Sequence, residues 1–429
     1  MKRLIIGIIL AAKLTAASAA TNTAASLSFA NVNSAMALCS DGDTLQLPAG
    51  SATWGSSDVL NITAAINMAG AGTNSTRIIG AKDPFIHADV PGKGYQIHDL
   101  TLDCGGITSS GFGLVKLLRG YAAIYNVVFT NGGVKLGTEN SVGGVVWNCT
   151  FWGGGNTDIF ITNPAWDGIG DYGDWSWATN STLGTTQQLV FENCFFTNTT
   201  DTPFIDAVQG ARYTIRTNII LRGFAAGHEA DSSGRSRGQR QCEWYNNVQS
   251  TTGDPGNEYR GGILVAVSNI VSGLSAIGVL KCFRAEPTDE HSAPFNTYPN
   301  GWDCGTNAID MPGLGKGDYL SGASPTPVCL NQAIEGCYSA SNKVGASLIN
   351  FSAYAIVVNG THRFDNAFPP GWSPLTYPHP LRTAIEGSGG GGGNPPITYT
   401  SGDPRRKKAI QSNSELALFC QFYYTFRIV

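Results

Sequence analysis

Apolar and polar residues alternate along this chain in short runs, and run after run stops at Asn, Asp or Gly. VVWNCTFW at 145–152 and LVFENCFFTN at 189–198 share one plan: a strand-like run, an Asn, a Cys, then an apolar pair. Weaker copies are IHDLTLD (97–103), IYNVVFTN (124–131), TNIILRG (217–223), YNNV (245–248) and SNIVSG (268–273). Period-2 alternation over so few residues, rich in β-branched and aromatic side chains, predicts short strands and no long helices.

Anchored on Asp99, Asn126, Asn148, Asn193, Asn218, Asn247 and Asn269, the copies recur at intervals of 27, 22, 45, 25, 29 and 22 residues. A period of this size with strands in each unit predicts a β-solenoid, one coil per unit. Stacked coils place like strands about 4.8 Å apart in parallel sheets. The anchor residue then falls at one corner of every coil. Asn tolerates left-handed backbone there, and its amide can bond the amides above and below. The interval of 45 is close to two units, which predicts that one unit is missing or overwritten between 155 and 187. On that register Cys149 and Cys194 lie two coils apart, about 9–10 Å, too far for a disulfide. They read as small buried side chains.

Three further stretches carry a resemblance. GDTLQLPAGSATW (42–54) is similar to the capping coil that opens many parallel β-helices. LVFENCFF, ARYTIRTNII and RQCEWYNNV are similar to consecutive coils. WSPLTYPHPL (372–381) is similar to a closing phrase of one group of secreted or phage-associated β-helix proteins. Over about residues 25–380 the chain resembles right-handed parallel β-helix proteins of the pectate-lyase-like superfamily. The expected fold class is all-β, a right-handed parallel β-helix with long loop inserts. The resemblance implies a polysaccharide partner and, as cofactor, Ca²⁺ held by carboxylates. The pectate-lyase phrases vWiDH and RxPxxR are absent.

Composition agrees with many strands and turns: of 429 residues 54 are Gly, and only 14% are charged. A net charge of −4 argues against nucleic acid as a partner. MKRLIIGIILAAKLTAASAA reads as a signal peptide over 1–19, which predicts a secreted or cell-surface protein. No other stretch is apolar enough to span a membrane. Residues 20–381 read as the β-helix domain, 382–396 as a Gly-rich linker, and 397–429 as a tail whose structure the sequence does not define. Residues 274–345 leave the pattern and group Cys282, Cys304, Cys329 and Cys337, for which Cys282–Cys304 and Cys329–Cys337 are convenient pairings.

Two departures from the repeat concentrate chemistry. The insert 156–186 holds Tyr172, Trp175, Trp177, Asp171 and Asp174, a set suited to stacking on sugar rings and bonding their hydroxyls. Residues 211–247 hold Arg212, Arg216, Arg222, Arg235, Arg237 and Arg240 with His228 and Glu243. As a lyase, arginines would neutralise a uronate carboxylate and a base, most simply His228, would take the neighbouring C–H proton. His228, Arg237, Arg240 and Glu243 are the catalytic candidates, with Arg216 and Arg235 beside the insert residues as binding candidates. As a hydrolase, two carboxyl groups would share the work; Asn156-Thr157-Asp158 and Gly227-His228-Glu229 are similar to polygalacturonase phrases, without their paired Asp and RIK. The alternatives are a glycan-binding adhesin or tailspike-like module, and a structural surface protein in which the charges pair with one another. No Cys/His spacing suggests zinc, and no metal-binding residue is assigned.

Overall fold

The computed structural model describes residues 19–107, 113–140, 142–154, 157–164, 173–198, 202–228, 237–251, 256–282, 309–318 and 332–387. They form a parallel β-solenoid of about eleven turns with few helices. Each full coil supplies one strand to each of three sheets. The first sheet runs from Thr21–Thr23 through Val142–Trp147, Leu189–Glu192, Arg212–Arg216, Gln241–Tyr245 and Ile263–Val267 to Cys337–Ala340 and Arg363–Asp365. The second includes Thr150–Trp152, Phe195–Thr197, Ile219–Leu221, Val248–Ser250 and Ile270–Ser272. The third includes Leu136–Thr138, Ile159–Thr162, Pro203–Val208, Phe224–Gly227, Glu258–Tyr259 and Val279–Leu280. The coil-to-coil pairings are parallel, as a coiled path requires; the hairpin of Lys343–Val344 with Ser347–Leu348 is antiparallel.

Inward side chains pile on their counterparts. Phe129, Phe151 and Phe196 stack with centroids 4.7 and 4.8 Å apart, and the core column around them is apolar and buried. Helix Phe29–Met36, capped by Ser28, lays Val32, Ala35 and Met36 over the N-terminal end. Among the described residues no helix is long and apolar enough to cross a membrane.

The interval of 45 residues does not hide a coil. Val142–Trp147 pairs directly with Leu189–Glu192, and Thr150–Trp152 with Phe195–Thr197. Residues 159–162 supply that coil's third-sheet strand, and the remainder is a long excursion before the first sheet resumes. Cys149 and Cys194 therefore sit in neighbouring coils. Both are buried free thiols, as are Cys104, Cys242 and Cys337. Cys304 and Cys329 lie outside the described residues, so neither convenient pairing is seen, and Cys337 is unpaired.

The Asn anchors split into two columns. Asp99, Asn126, Asn148 and Asn193 occupy the left-handed corner position, with φ of 57°, 52°, 50° and 55°. In later coils that position passes to Thr217, Asn246, Ser268 and Ser341, also left-handed. Asn218, Asn247 and Asn269 stand one residue further, and Asn342 continues them. These four are buried and form a continuous amide ladder: Asn218 Nδ2 donates to Asn247 Oδ1 (3.1 Å), Asn247 to Asn269 (3.0 Å), and Asn269 to Asn342 (2.8 Å). The second Nδ2 hydrogens reach backbone carbonyls of the first sheet, such as Ile215 O at 2.9 Å. Asn does two jobs at this corner, one for backbone shape and one for hydrogen bonding.

The two jobs separate by mutation. Asn247→Ala leaves the Asn218 amide groups, Ile215 O and Asn269 Oδ1 short of partners in the interior, a loss on the order of 3 kcal/mol or more. Asn148→Gly keeps the left-handed corner and changes stability by less than about 1 kcal/mol. Chemical denaturation of both variants checks the contrast; equal losses would contradict the two-column assignment.

Candidate functional site

Three long excursions, 163–188, 228–240 and 281–336, leave the solenoid at one corner, between the third sheet and the first. Among the described residues they fold over the outward face of the first sheet, joined by the C-terminal segment 368–387. Arg212, Arg216, Arg237 and Arg240 lie underneath. Arg212 donates to Ser176 O, Asn180 O (2.9 Å), Thr179 Oγ1 (2.7 Å) and Ser176 Oγ (2.9 Å). Arg216 binds Glu192 Oε2 (2.7 Å) and the carbonyls of Leu375 (2.6 Å) and Thr376 (3.0 Å). Arg237 pairs with Asp310 (2.8 Å) and Asp174 (3.3 Å), and Arg240 with Glu335 (3.0 Å). Trp177 lies against both of the latter guanidinium groups, 5.1 and 5.5 Å from its ring, and donates to Gly238 O.

The candidate residues thus fall into separate places. Arg216, Arg237, Arg240, Glu243, Asp174 and Trp177 are fully buried, each with protein partners. Arg237, Arg240 and Glu243, expected in an open cleft, lie under a roof because outward on the first sheet here means inward to the excursions. Glu243 accepts from Gly184 N (3.0 Å), Gln188 Nε2 (2.7 Å), Thr214 Oγ1 (3.0 Å) and Trp372 Nε1 (2.8 Å). Burial raises its pKa, and these donors pull the other way. Burial likewise lowers that of Arg240, against Glu335. Asp158, of the Asn156-Thr157-Asp158 phrase, is a buried partner of Lys135. Trp175 is half-buried on helix Asp174–Ala178. Asp171, Tyr172 and Arg235 lie outside the described residues. Helix Pro380–Gly387 runs through the start of the stretch read as linker.

His228 stands apart. It follows third-sheet strand Phe224–Gly227, and its N–H continues the ladder to Ala207 O (2.8 Å). Arg260 takes the same position one coil on, its N–H reaching Gly227 O (2.9 Å), and Lys281 the next, reaching Tyr259 O (2.9 Å). Three basic residues therefore line up on successive coils, about 4.8 Å apart. Arg260 NH2 lies 2.8 Å from His228 Nδ1. His228 Nε2 lies 2.8 Å from Asp206 Oδ1, a close contact that falls short of an aligned hydrogen bond. Both side chains keep about a fifth to a quarter of their surface exposed (22% and 24%). Phe160 precedes Asp206 in the adjoining outward column, and Glu258 follows two coils on, paired with Lys281.

Sequence reasoning singled out His228, as the start of a loop between coils, and did not name Arg260 or Lys281. Their signal was positional: each follows a third-sheet strand by one residue, which shows only once the coils are in register. Calcium is poorly served by this face. Asp206 and Glu258 already face cations, and among the described residues no group of three or more His, Cys, Asp or Glu is arranged to hold a metal.

Removing a roofed arginine is a stability experiment. Arg237→Ala strands Asp174 and Asp310 without their cation, a loss of about 3–5 kcal/mol, read by denaturant titration. The C-terminal segment adds a pH dependence. His379 is buried beside Arg216, and burial first, then that charge, lowers its pKa from 6.5 to about 4. The unfolded chain takes up the proton first as pH falls, so this contribution to stability is intact above pH 6.5 and drains away towards pH 4. The full loss is about 3 kcal/mol. His379→Asn flattens that acid limb, measured as thermal midpoints across the range.

No protein-family model matches this chain, and no curated protein matches it. Among solved structures it is similar to an alginate lyase from Paenibacillus sp. str. FPU-7, at 10% identity and a TM-score of 0.35, over 78% of this chain and 99% of that one. It is also similar to ORF18 of Geobacillus virus E2, at 12% identity and a TM-score of 0.34, over 75% of this chain and 56% of that one. These likenesses assign no residue of the chain a role.

Proposed function

We propose that the third-sheet face around Asp206, His228 and Arg260 binds an acidic polysaccharide and cleaves it by β-elimination. The supporting observation is the basic column His228, Arg260 and Lys281, partly exposed on successive coils beside Asp206, while Arg216, Arg237 and Arg240 are buried and committed to loops. A rigid ladder of basic side chains suits a polymer with a carboxylate on each sugar. The same face is what a secreted or surface protein acting on glycan would present.

The chemistry follows from the contacts. Arg260 covers both ring nitrogens of His228 in the free protein, 2.8 Å from Nδ1 and 2.9 Å from Nε2. A uronate carboxylate entering the column draws the guanidinium to itself, which neutralises the carboxylate and acidifies the adjacent C–H. Nδ1 is then uncovered, and Asp206 steadies the imidazolium that forms when the ring takes the proton. The C–H electrons become the new C=C bond. The glycosidic oxygen leaves with its bonding pair and takes a proton from solvent. Arg237, Arg240 and Glu243 have no step in this sequence; they hold the roof.

Incubation with polygalacturonate and with alginate tests the reading. The expected result is an unsaturated product absorbing in the near ultraviolet. His228→Ala lowers kcat/KM at least about 100-fold, and Arg260→Ala raises KM. Polymer bound without cleavage would reduce the site to a binding surface. New reducing ends without the chromophore would point to hydrolysis through Asp206 and Glu258. Full lyase activity in His228→Ala would remove the site altogether.

A further inference from the structure

The roof over the first sheet is incomplete. Beyond helix Pro380–Gly387, towards the N-terminal coils, the outward face opens into a cleft of about 230 Å³. Leu381 and Ile385 of that helix form one wall, and Tyr121 the opposite lip. Tyr121 is 52% exposed, an unusual position for so large a ring on this solenoid. Its coil neighbours in the same column are Gly94 and Gly143. A Cβ at Gly143 would stand 2.9 Å from the Tyr121 ring, so the ring lies flat across a floor cleared by glycine.

The next column supplies polar groups. Asn67 and Gln96 are paired on adjacent coils, about 4.8 Å apart. Asn67 Oδ1 faces His98 Nε2 at 2.7 Å, and Gln96 Oε1 accepts from Tyr125 OH at 3.1 Å. His98 is itself held by Asp99 at 2.7 Å and stacked on Tyr125, whose ring stacks on Trp147. Both carboxamides are thus fixed by their oxygens. Their NH₂ groups, which have no protein partner among the described residues, remain to donate. No lining residue carries a charge.

The geometry points to a subsite for one uncharged pyranose ring, with its apolar face on Tyr121 and two hydroxyl oxygens taking the Asn67 and Gln96 amides. The coil spacing is close to the separation of alternate equatorial hydroxyls on such a ring. Neighbouring acceptors on a nucleobase edge are much closer together and suit one amide, not two on successive coils. The cleft volume suits a single ring. This subsite is on a different sheet from the His228 column and does not depend on the reading given there.

Titration of the full chain with methyl glycosides of glucose, galactose and mannose, followed by tyrosine and tryptophan fluorescence and by calorimetry, tests the assignment. Saturable binding of at least one sugar is expected. Tyr121→Ala and Gln96→Ala should each weaken it tenfold or more with little change in thermal midpoint, while Arg260→Ala leaves it unchanged. Tyr121 is exposed, so its variant reports binding even if Gln96→Ala disturbs packing. No saturation by any of the three sugars, equal affinity in Tyr121→Ala, or tighter binding of adenosine than of every sugar would overturn it.

Discussion

The ladder spacing of the parallel coils constrains everything else in this molecule. Each coil must bring its chain back to the same first-sheet column about 4.8 Å above the last. Extra sequence can therefore enter only at corners, and here the three longest stretches enter at one. The excursions 163–188, 228–240 and 281–336 share the corner between the third and first sheets. Loops leaving one corner on nearby coils crowd together, and the flat outward face of the first sheet is the nearest surface on which to bury them.

That burial creates a hydrogen-bonding problem. Loops laid on a sheet bring carbonyl oxygens out of water without a ladder to receive them. Arginine answers it better than any other side chain, because five donors in a planar fork can serve several acceptors at once. Arg212 meets Ser176, Thr179 and Asn180, and Arg216 meets Leu375 and Thr376. Glu243 performs the converse task for the donors of Gly184 and Trp372. A cluster of charge in a chain otherwise poor in it thus arises from loop docking. Such groups are worth little as net stabilisers, yet costly to remove singly, since each deletion strands its partners.

The repeat was legible because its cause is local. A left-handed corner is needed in coil after coil, and Asn and Asp, which tolerate it best among residues with side chains, mark it from Asp99 to Asn193. The one-residue shift at Asn218 was not legible, because the same residue type also builds the inner amide ladder, and a sequence shows the type without the job. The coil count failed between Asn148 and Asn193 for a related reason: an excursion of any length leaves the rungs in register. Alternation along a strand sets Gln241, Glu243 and Tyr245 on the face opposite Cys242 and Trp244. It cannot show whether away from the core means solvent or roof, which is set by chain 59 or more residues distant, such as Gly184 and Trp372.

The roof also decides which surfaces can act. With the later coils of the first sheet sealed, a long ligand has the third-sheet face, where His228, Arg260 and Lys281 repeat at the coil spacing. A short one has the uncovered early coils, where Tyr121, Asn67 and Gln96 meet. The two faces differ in kind as well as place: one is a row of basic side chains beside carboxylates, the other an aromatic platform with carboxamides and no charge. On the function proposed above, the first would discriminate by charge over many sugar units and tolerate sliding along the axis. The second is closed at one end by Leu381 and Ile385 and fixes register on a single ring. A protein holding a polymer on the first and a terminal or branching sugar on the second would gain affinity from linkage alone, provided one glycan can span both sheets.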